Sequence, residues 1–442
     1  MANRIPRIKR FDSTRALLRD PYGFIGQHCR RERTDVFEAR ILLRRVLCMS
    51  GPEAAALIYD RERFKRHGAT PEPVRATLFG KRGVQGLDDE AHRRRKGMFM
   101  SIMTPGRVRE LAELAVGQWE AAARQWAIDD RVVLYDELHV LLTRAVCAWA
   151  GLPLCEPELR QRAGDLAALF DSAGALPWGH LRARRARSRA ERWISERVRS
   201  IRRAPRGPGI ESPAGMIASH KDEHGRLLPA RIAAVEILNL LRPTVAVSVY
   251  IVFLVHALNE HPEWRERITG DPAACEWFVQ EVRRFYPFFP AVFARVRRRF
   301  EWHGYEFKRG RRVLLDITST NHDPRAWEAP DEFRPDRFAH WAADPFTFIP
   351  QGGGDHCPGH RCAGEWLTIE LMKASLRFLV ERLRFDLTQQ SLRIDRTRLP
   401  ALPRDRIVLT HVRLIEPATA MPASEPAGET RRGQVAREIA AG

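Results

Sequence analysis

Hydrophobic positions along the chain change period several times, and each change marks an element. Val36–Arg40 and Leu42–Met49 are dense in strand formers and stop at Gly51-Pro52, which predicts a hairpin over Val36–Ser50 and a short helix over Glu53–Arg63. From Arg107 to Ile201 the recurrence is helical, broken at Gly151-Leu152-Pro153 and again over Gly174–Gly179, and it reads as scaffold. The longest apolar run, VEILNLLRPTVAVSVYIVFLVHAL, lies within Pro229–His261. About 20 such residues would span a bilayer, but Glu236, Asn239, Arg242 and Pro243 interrupt the run and make it a buried core helix. Short strands are predicted at Val292–Val296, Glu306–Phe307, Val313–Asp316, Phe385–Leu387 and Ile407–Val412. The resulting fold class is mainly α with a small β-rich subdomain, one domain over residues 1–415. The stretch 416–442, poor in hydrophobic residues and rich in Pro, Ala and Gly, is expected to be a disordered tail.

Two residues of the long helix stand out. A guanidinium at Arg242 is costly inside a core unless an anion sits opposite it. Pro243 has no amide hydrogen and its ring crowds the carbonyl of Asn239, so the helix should kink or open there.

Composition adds bounds. With 442 residues and 44% hydrophobic content the chain can bury one large core or two domains. A net charge of +19 admits nucleic acid or an anionic membrane as partners. The charges are spread along the chain and not clustered with aromatics, which favours a solvated basic surface that gathers anionic substrates, with no nucleic acid partner. Seven cysteines without a pairing pattern, and an opening MANRIPRIKR with no apolar segment behind it, predict a reducing cytoplasm and no membrane anchor.

The densest chemistry lies in FTFIPQGGGDHCPGHRCAGEWLTIE, Phe346–Glu370. Apolar residues from Ala363 onward predict a buried helix reaching Val380, which places Cys362 at a helix N-terminus where unpaired amide donors favour a thiolate. Gly352, Gly353 and Gly354 would let backbone approach something flat and bulky, as a haem face is. Cys357 competes for the ligand role, but Asp355 two places before it would repel a thiolate, and Pro358 and Gly359 weaken a helix starting there. Cys362, flanked by His360 and Arg361, is therefore the expected metal ligand. A zinc site made of His356, Cys357, His360 and Cys362 is the alternative, without standard spacing or a second pair. On a helix beginning near Asp88 or Asp89, His92 and Lys96 share a face while Arg93, Arg94 and Arg95 cover the other directions.

The segment G-H-R-C-A-G-E resembles the haem-ligand loop of the cytochrome P450 superfamily. Its longer form I-P-Q-G-G-G…G-H-R-C-x-G-E is similar to that of the bacterial fatty-acid peroxygenases, although the aromatic usual seven residues before the cysteine is replaced by Asp355. The ordered set Glu281-x-x-Arg284, then Pro335-x-Arg337-Phe338, then the cysteine loop matches the superfamily's structural triad. The resemblance implies a haem-thiolate fold and haem b held axially by Cys362. It makes His92, Lys96, Arg361 and Arg66 candidate propionate ligands. It also implies that Arg242 and Pro243 replace the acid–alcohol pair that usually delivers protons in the central helix. Arg242 would then grip a fatty-acid carboxylate bidentately. That carboxylate would serve as general acid–base toward hydrogen peroxide, with no redox partner needed. Phe79 and Phe289 are candidate substrate contacts. Gln85 can hydrogen-bond but not relay a proton as histidine would, so hydroxylated acid is expected over terminal alkene. A redox-partner-dependent monooxygenase is the first rival; a basic zinc- or nucleic-acid-binding protein is the rival of another class.

Overall fold

The helix Ala230–Glu260 is the spine, and the remaining helices are layered around it. A computed structural model describes residues 3–171, 177–204 and 209–416. Of the expected tail only Glu416 lies among them. The 31-residue spine is long and apolar enough to cross a membrane, yet 94% of that apolar window is buried inside the protein. It is a core helix, as its interrupting polar residues require. Helices Leu134–Trp149, Pro177–Arg203 and Glu365–Arg377 pack directly on it. The spine stays helical on both sides of Pro243, so the expected opening does not occur. Thr244 Oγ1 donates to the Leu240 carbonyl at 3.0 Å, next to the Asn239 carbonyl that Pro243 leaves without its helical donor.

A second layer is a five-stranded sheet, in the order Val36–Ile41, Arg44–Met49, Arg312–Asp316, Ala291–Val296, Phe64–Lys65. The hairpin pairs antiparallel with Val36 opposite Met49, and Arg44–Met49 runs parallel to Arg312–Asp316 with Cys48 opposite Leu314. The alternation of the sequence is thus realised, with one difference at the turn. Leu42 and Leu43, expected to open the second strand, form the two-residue turn, both at positive φ (49° and 60°). The helix after the hairpin is shorter than expected, Pro52–Ile58. The break predicted over 174–179 falls partly outside the described residues, and Gly179 lies within the helix Pro177–Arg203.

Buried arginine–carboxylate pairs fix how the layers meet. Arg284 grips Glu281 through two hydrogen bonds, 2.7 and 2.8 Å, with both side chains wholly buried. Its remaining N–H groups donate to the Asn321, Pro330 and Glu332 carbonyls. Arg337 Nε and the Arg334 amide both donate to Glu281 Oε1, at 3.3 and 2.8 Å. The neighbouring Arg283 points the other way, to Glu365 and Gln351 of the cysteine loop. One helix, Pro272–Phe285, therefore holds both the irregular segment around Arg337 and the loop around Cys362.

Two core histidines give the fold a testable acid limit. Burial pushes His139 and His322 from the ordinary 6.5 down to about 4. Between those values the unfolded chain binds more protons than the folded one, so their contribution to stability is present at pH 7 and is lost as pH falls from about 6.5 toward about 4. His139 packs edge-on against Tyr135 and Phe170. Replacing it with Phe should shrink the drop in thermal midpoint between pH 7 and pH 5; an unchanged drop would remove His139 from the account.

Candidate active site

The loop before the helix Glu365–Arg377 is shaped by its own backbone bonds. The Cys362 amide donates to the Gln351 carbonyl at 3.1 Å and the Gly354 amide to that of Pro345 at 2.9 Å. Gly352 and Gly354 sit at φ +96° and +77°. A Cβ on Gly352 would stand 2.8 Å from the Tyr59 hydroxyl, and one on Gly353 would stand 2.7 Å from the Pro345 carbonyl oxygen. Gly352 and Gly353 therefore admit Tyr59 and a neighbouring strand of loop.

Cys357 is exposed, whereas Cys362 is half-buried and lies within the electrostatic reach of Glu365, Lys96 and Arg242. The helix begins at Glu365, three residues beyond Cys362, later than the sequence suggested. Burial raises the Cys362 thiol, with Glu365 adding to this, while Lys96, the Gly364 amide and Arg242 pull it down. A metal ion would hold such a thiol deprotonated outright. Among the described residues no three His, Cys, Asp or Glu side chains converge as a closed zinc site would need.

Beside the cysteine lies a group of two cations and two neutral imidazoles, all able to donate and short of anions. Arg66, His92 and Lys96 are buried, and His360 stacks on His92 with ring centroids 3.8 Å apart. Burial pushes His92 down to about 4, helped by Lys96, and pushes His360 far down, with Arg66, His92 and Lys96 all contributing. Asp88 is the nearest acid, but its two oxygens accept the backbone amides of Arg66 and His67, at 2.7 and 3.0 Å. Arg66 donates Nη1 to the Phe293 carbonyl, lies over the Tyr59 ring, and keeps a buried Nη2 without a partner among the described residues. Lys96 donates to the Arg361 carbonyl. A ligand bringing two carboxylates beside Cys362 fits this group, as haem with its propionates does. Arg361 does not join it: its guanidinium is held by Glu365 at 2.6 and 3.1 Å. His360, which the sequence placed beside the cysteine without a haem role, stands with the cluster instead.

On the spine, Arg242 is 5% exposed and forms no ion pair or hydrogen bond with any described residue; its Nε is buried and unpartnered. Burial, and secondarily Arg187, lower its pKa to about 9, while Cys362 raises it, so it remains charged at neutral pH. A structural pairing with a buried carboxylate, the bland explanation of this residue, is thereby excluded among the described residues. Three residues earlier, Asn239 Nδ2 donates to Glu236 Oε2 at 3.0 Å and to Gln85 Oε1 at 3.2 Å. A carboxylate can only accept, so Glu236 fixes which end of the Asn239 amide faces it. Gln85 consequently offers its oxygen to Asn239 and keeps its Nε2 donor for whatever lies beyond. Glu236 is itself neutralised by Arg95 at 2.5 Å, so Arg95 is a buried structural cation, unlike Arg93, which pairs with Glu90 in solvent. Phe79 and Phe289 are both half-buried against the central core. Glu236, Asn239 and Arg95 were not singled out as a network because their partners lie up to 154 residues apart in the chain. The polar positions inside an apolar run were the available signal.

Comparison with known proteins places this arrangement. The cytochrome P450 family model matches residues 274–410. Cytochrome P450 71D94 of Mentha gracilis is 38% identical over 86 residues, so the match spans only 17% of that relative and 18% of this chain. Solved structures match throughout. Cytochrome P450SP alpha (CYP152B1) in complex with (R)-ibuprophen is 50% identical at a TM-score of 0.89, covering 91% of this chain and 99% of that one. Cytochrome P450EX alpha (CYP152N1) with myristic acid is 41% identical at a TM-score of 0.90, covering 93% and 100%. A variant of cytochrome P450 OleT in complex with arachidonic acid is 32% identical at 0.90, covering 94% and 100%. With a cysteine loop, a buried Glu281–Arg284–Arg337 cluster and an Arg242-Pro243 spine in one fold, the chain belongs to the cytochrome P450 superfamily, within the CYP152 branch.

Proposed function

We propose that this protein is a haem-thiolate peroxygenase that uses hydrogen peroxide to hydroxylate long-chain fatty acids at the alpha or beta carbon in the cytoplasm, without a redox partner. The observation that carries the reading is Arg242: a buried, charged guanidinium for which no described residue supplies an anion. A fatty-acid carboxylate supplies one in a matching planar geometry. The structural relatives bound to myristic and arachidonic acid support this choice of ligand.

Family membership implies haem with cysteine thiolate ligation. We take the group to be haem b, held through iron by Cys362 and through its propionates by Arg66, His92 and Lys96. When bound, it supplies activation of peroxide, the thiolate pushing electron density toward O–O cleavage. The chain's own residues do the rest. Arg242 fixes the substrate carboxylate, and that carboxylate takes a proton from hydrogen peroxide and returns it to the departing oxygen, which leaves as water. The other oxygen ends as a hydroxyl on the carbon held nearest, alpha or beta to the head group. Pro243 removes a helical donor beside Arg242. Gln85, oriented by Asn239 and Glu236, presents a donor and no titrating proton, which favours hydroxylated acid with terminal alkene a minor product. Phe79 and Phe289 contribute apolar wall around the chain. A redox-partner-dependent monooxygenase would want an acid–alcohol pair where Arg242 and Pro243 stand.

Purified protein given peroxide and a long-chain fatty acid, with no reductant, should form 2- or 3-hydroxy acid. Product that appears only with a reduced ferredoxin or flavoprotein would sink the peroxygenase reading. Arg242→Ala removes a charge-assisted pair worth about 2–5 kcal/mol, so kcat/KM should fall about thirtyfold or more, with the haem spectrum retained. For the cofactor cradle, Arg66→Ala and Lys96→Met should lose haem faster than the parent when apomyoglobin is added as a trap. Equal loss rates would remove these residues from the propionate site.

A further inference from the structure

We infer that the tip of the first hairpin, Leu42-Leu43 with Phe11, is a docking point for an anionic lipid bilayer. Leu42 and Leu43 are 53% and 67% exposed and Phe11 is 77% exposed. They form one cluster: the Leu42 amide donates to Thr14 Oγ1 at 2.6 Å, the Leu43 amide to Asp12 Oδ2 at 2.7 Å, and the Arg40 guanidinium lies over the Phe11 ring. The turn is one that asks for Asn-Gly or Gly-Gly, since both central residues have positive φ. Two leucines there combine backbone strain with exposed apolar surface, and neither contributes to the core. Their turn amides are already bonded within the chain, so entering an apolar medium leaves no turn donor unsatisfied.

Charge chooses the occupant. Around the tip Lys9, Arg10, Arg15 and Arg44 are exposed, while Arg45 is paired with Glu38 at 3.7 Å. Burial would raise the carboxyl of Asp12, but its bonds to Thr14 and Leu43, with Arg40, together hold it below the ordinary carboxylate value. A second copy of the chain would bring these cations against their own kind. A stable protein interface needs about 800 Å² on each side, more than three side chains on a protruding turn provide. A bilayer needs only apolar residues that reach the acyl boundary and cations at the phosphate level. The inference deepens the proposed function by locating the source of its substrate, and it is tested without turnover, so either can fail alone.

The test uses the full-length holoenzyme in co-sedimentation with phosphatidylcholine vesicles, with and without phosphatidylglycerol. The parent should pellet with the anionic vesicles and be released at high salt. Leu42→Asn/Leu43→Gly gives the turn the residues its backbone prefers, so its thermal midpoint should hold or rise while partition falls about tenfold or more. Arg10→Glu/Arg44→Glu should weaken binding about twenty-fivefold or more, at about fivefold per arginine removed. A parent that ignores anionic vesicles, a Leu42→Asn/Leu43→Gly variant that binds as well as the parent, or equal capture on polyglutamate beads would each overturn the inference.

Discussion

A cation buried in protein must find an anion, and this rule sorts the arginines of the core. Where the chain supplies the anion the pair is structural: Arg284 with Glu281, Arg283 with Glu365, Arg95 with Glu236. Where no described residue does, the guanidinium is the one the proposed function assigns to a ligand. Arg242 and the free nitrogen of Arg66 are of this second kind, and both belong to the surroundings of Cys362. Glu365, which neutralises Arg283, also occupies Arg361 and so places it among the structural pairs. Scaffold pairing thus decides which cations remain available to the cofactor and substrate.

The adjacent residues Arg283 and Arg284 show how little sequence is needed to couple distant parts. One reaches the cysteine loop and the other the segment carrying Arg337, from a single turn of helix. Breaking a buried pair of this type typically costs about 3–5 kcal/mol because a charge is left stranded. The position of Cys362 is therefore set by the interior packing of Pro272–Phe285 as much as by the loop's own glycines, which are occupied with Tyr59 and the Pro345 carbonyl.

Much of this could be read from the chain before any coordinates. Hydrophobic period located the hairpin, the spine and the late strands, because period reports directly on which face is buried. Cys362 and Arg242 were legible because each breaks its local pattern, a cysteine in a glycine-rich loop and a charge in an apolar helix. The chain could not disclose that Arg361 turns to Glu365, that His360 joins His92, or that Arg95 is buried while Arg93 is not. Those outcomes are decided by partners far away in sequence. Likewise, Leu42 and Leu43 look like strand formers, and only the register of Ile41 opposite Arg44 makes them a turn.

Arg242 sits on a continuous helix packed from both flanks, and in the function proposed above it would be the fixed origin from which the substrate is measured. A molecule gripped by its head is read from that end, like a tape from its zero mark. Lengthening the tail then alters how tightly the acid is held, but not which carbon lies at the reacting position. Chain-length preference and positional selectivity become separable traits, the first written in the apolar wall and the second in one side chain.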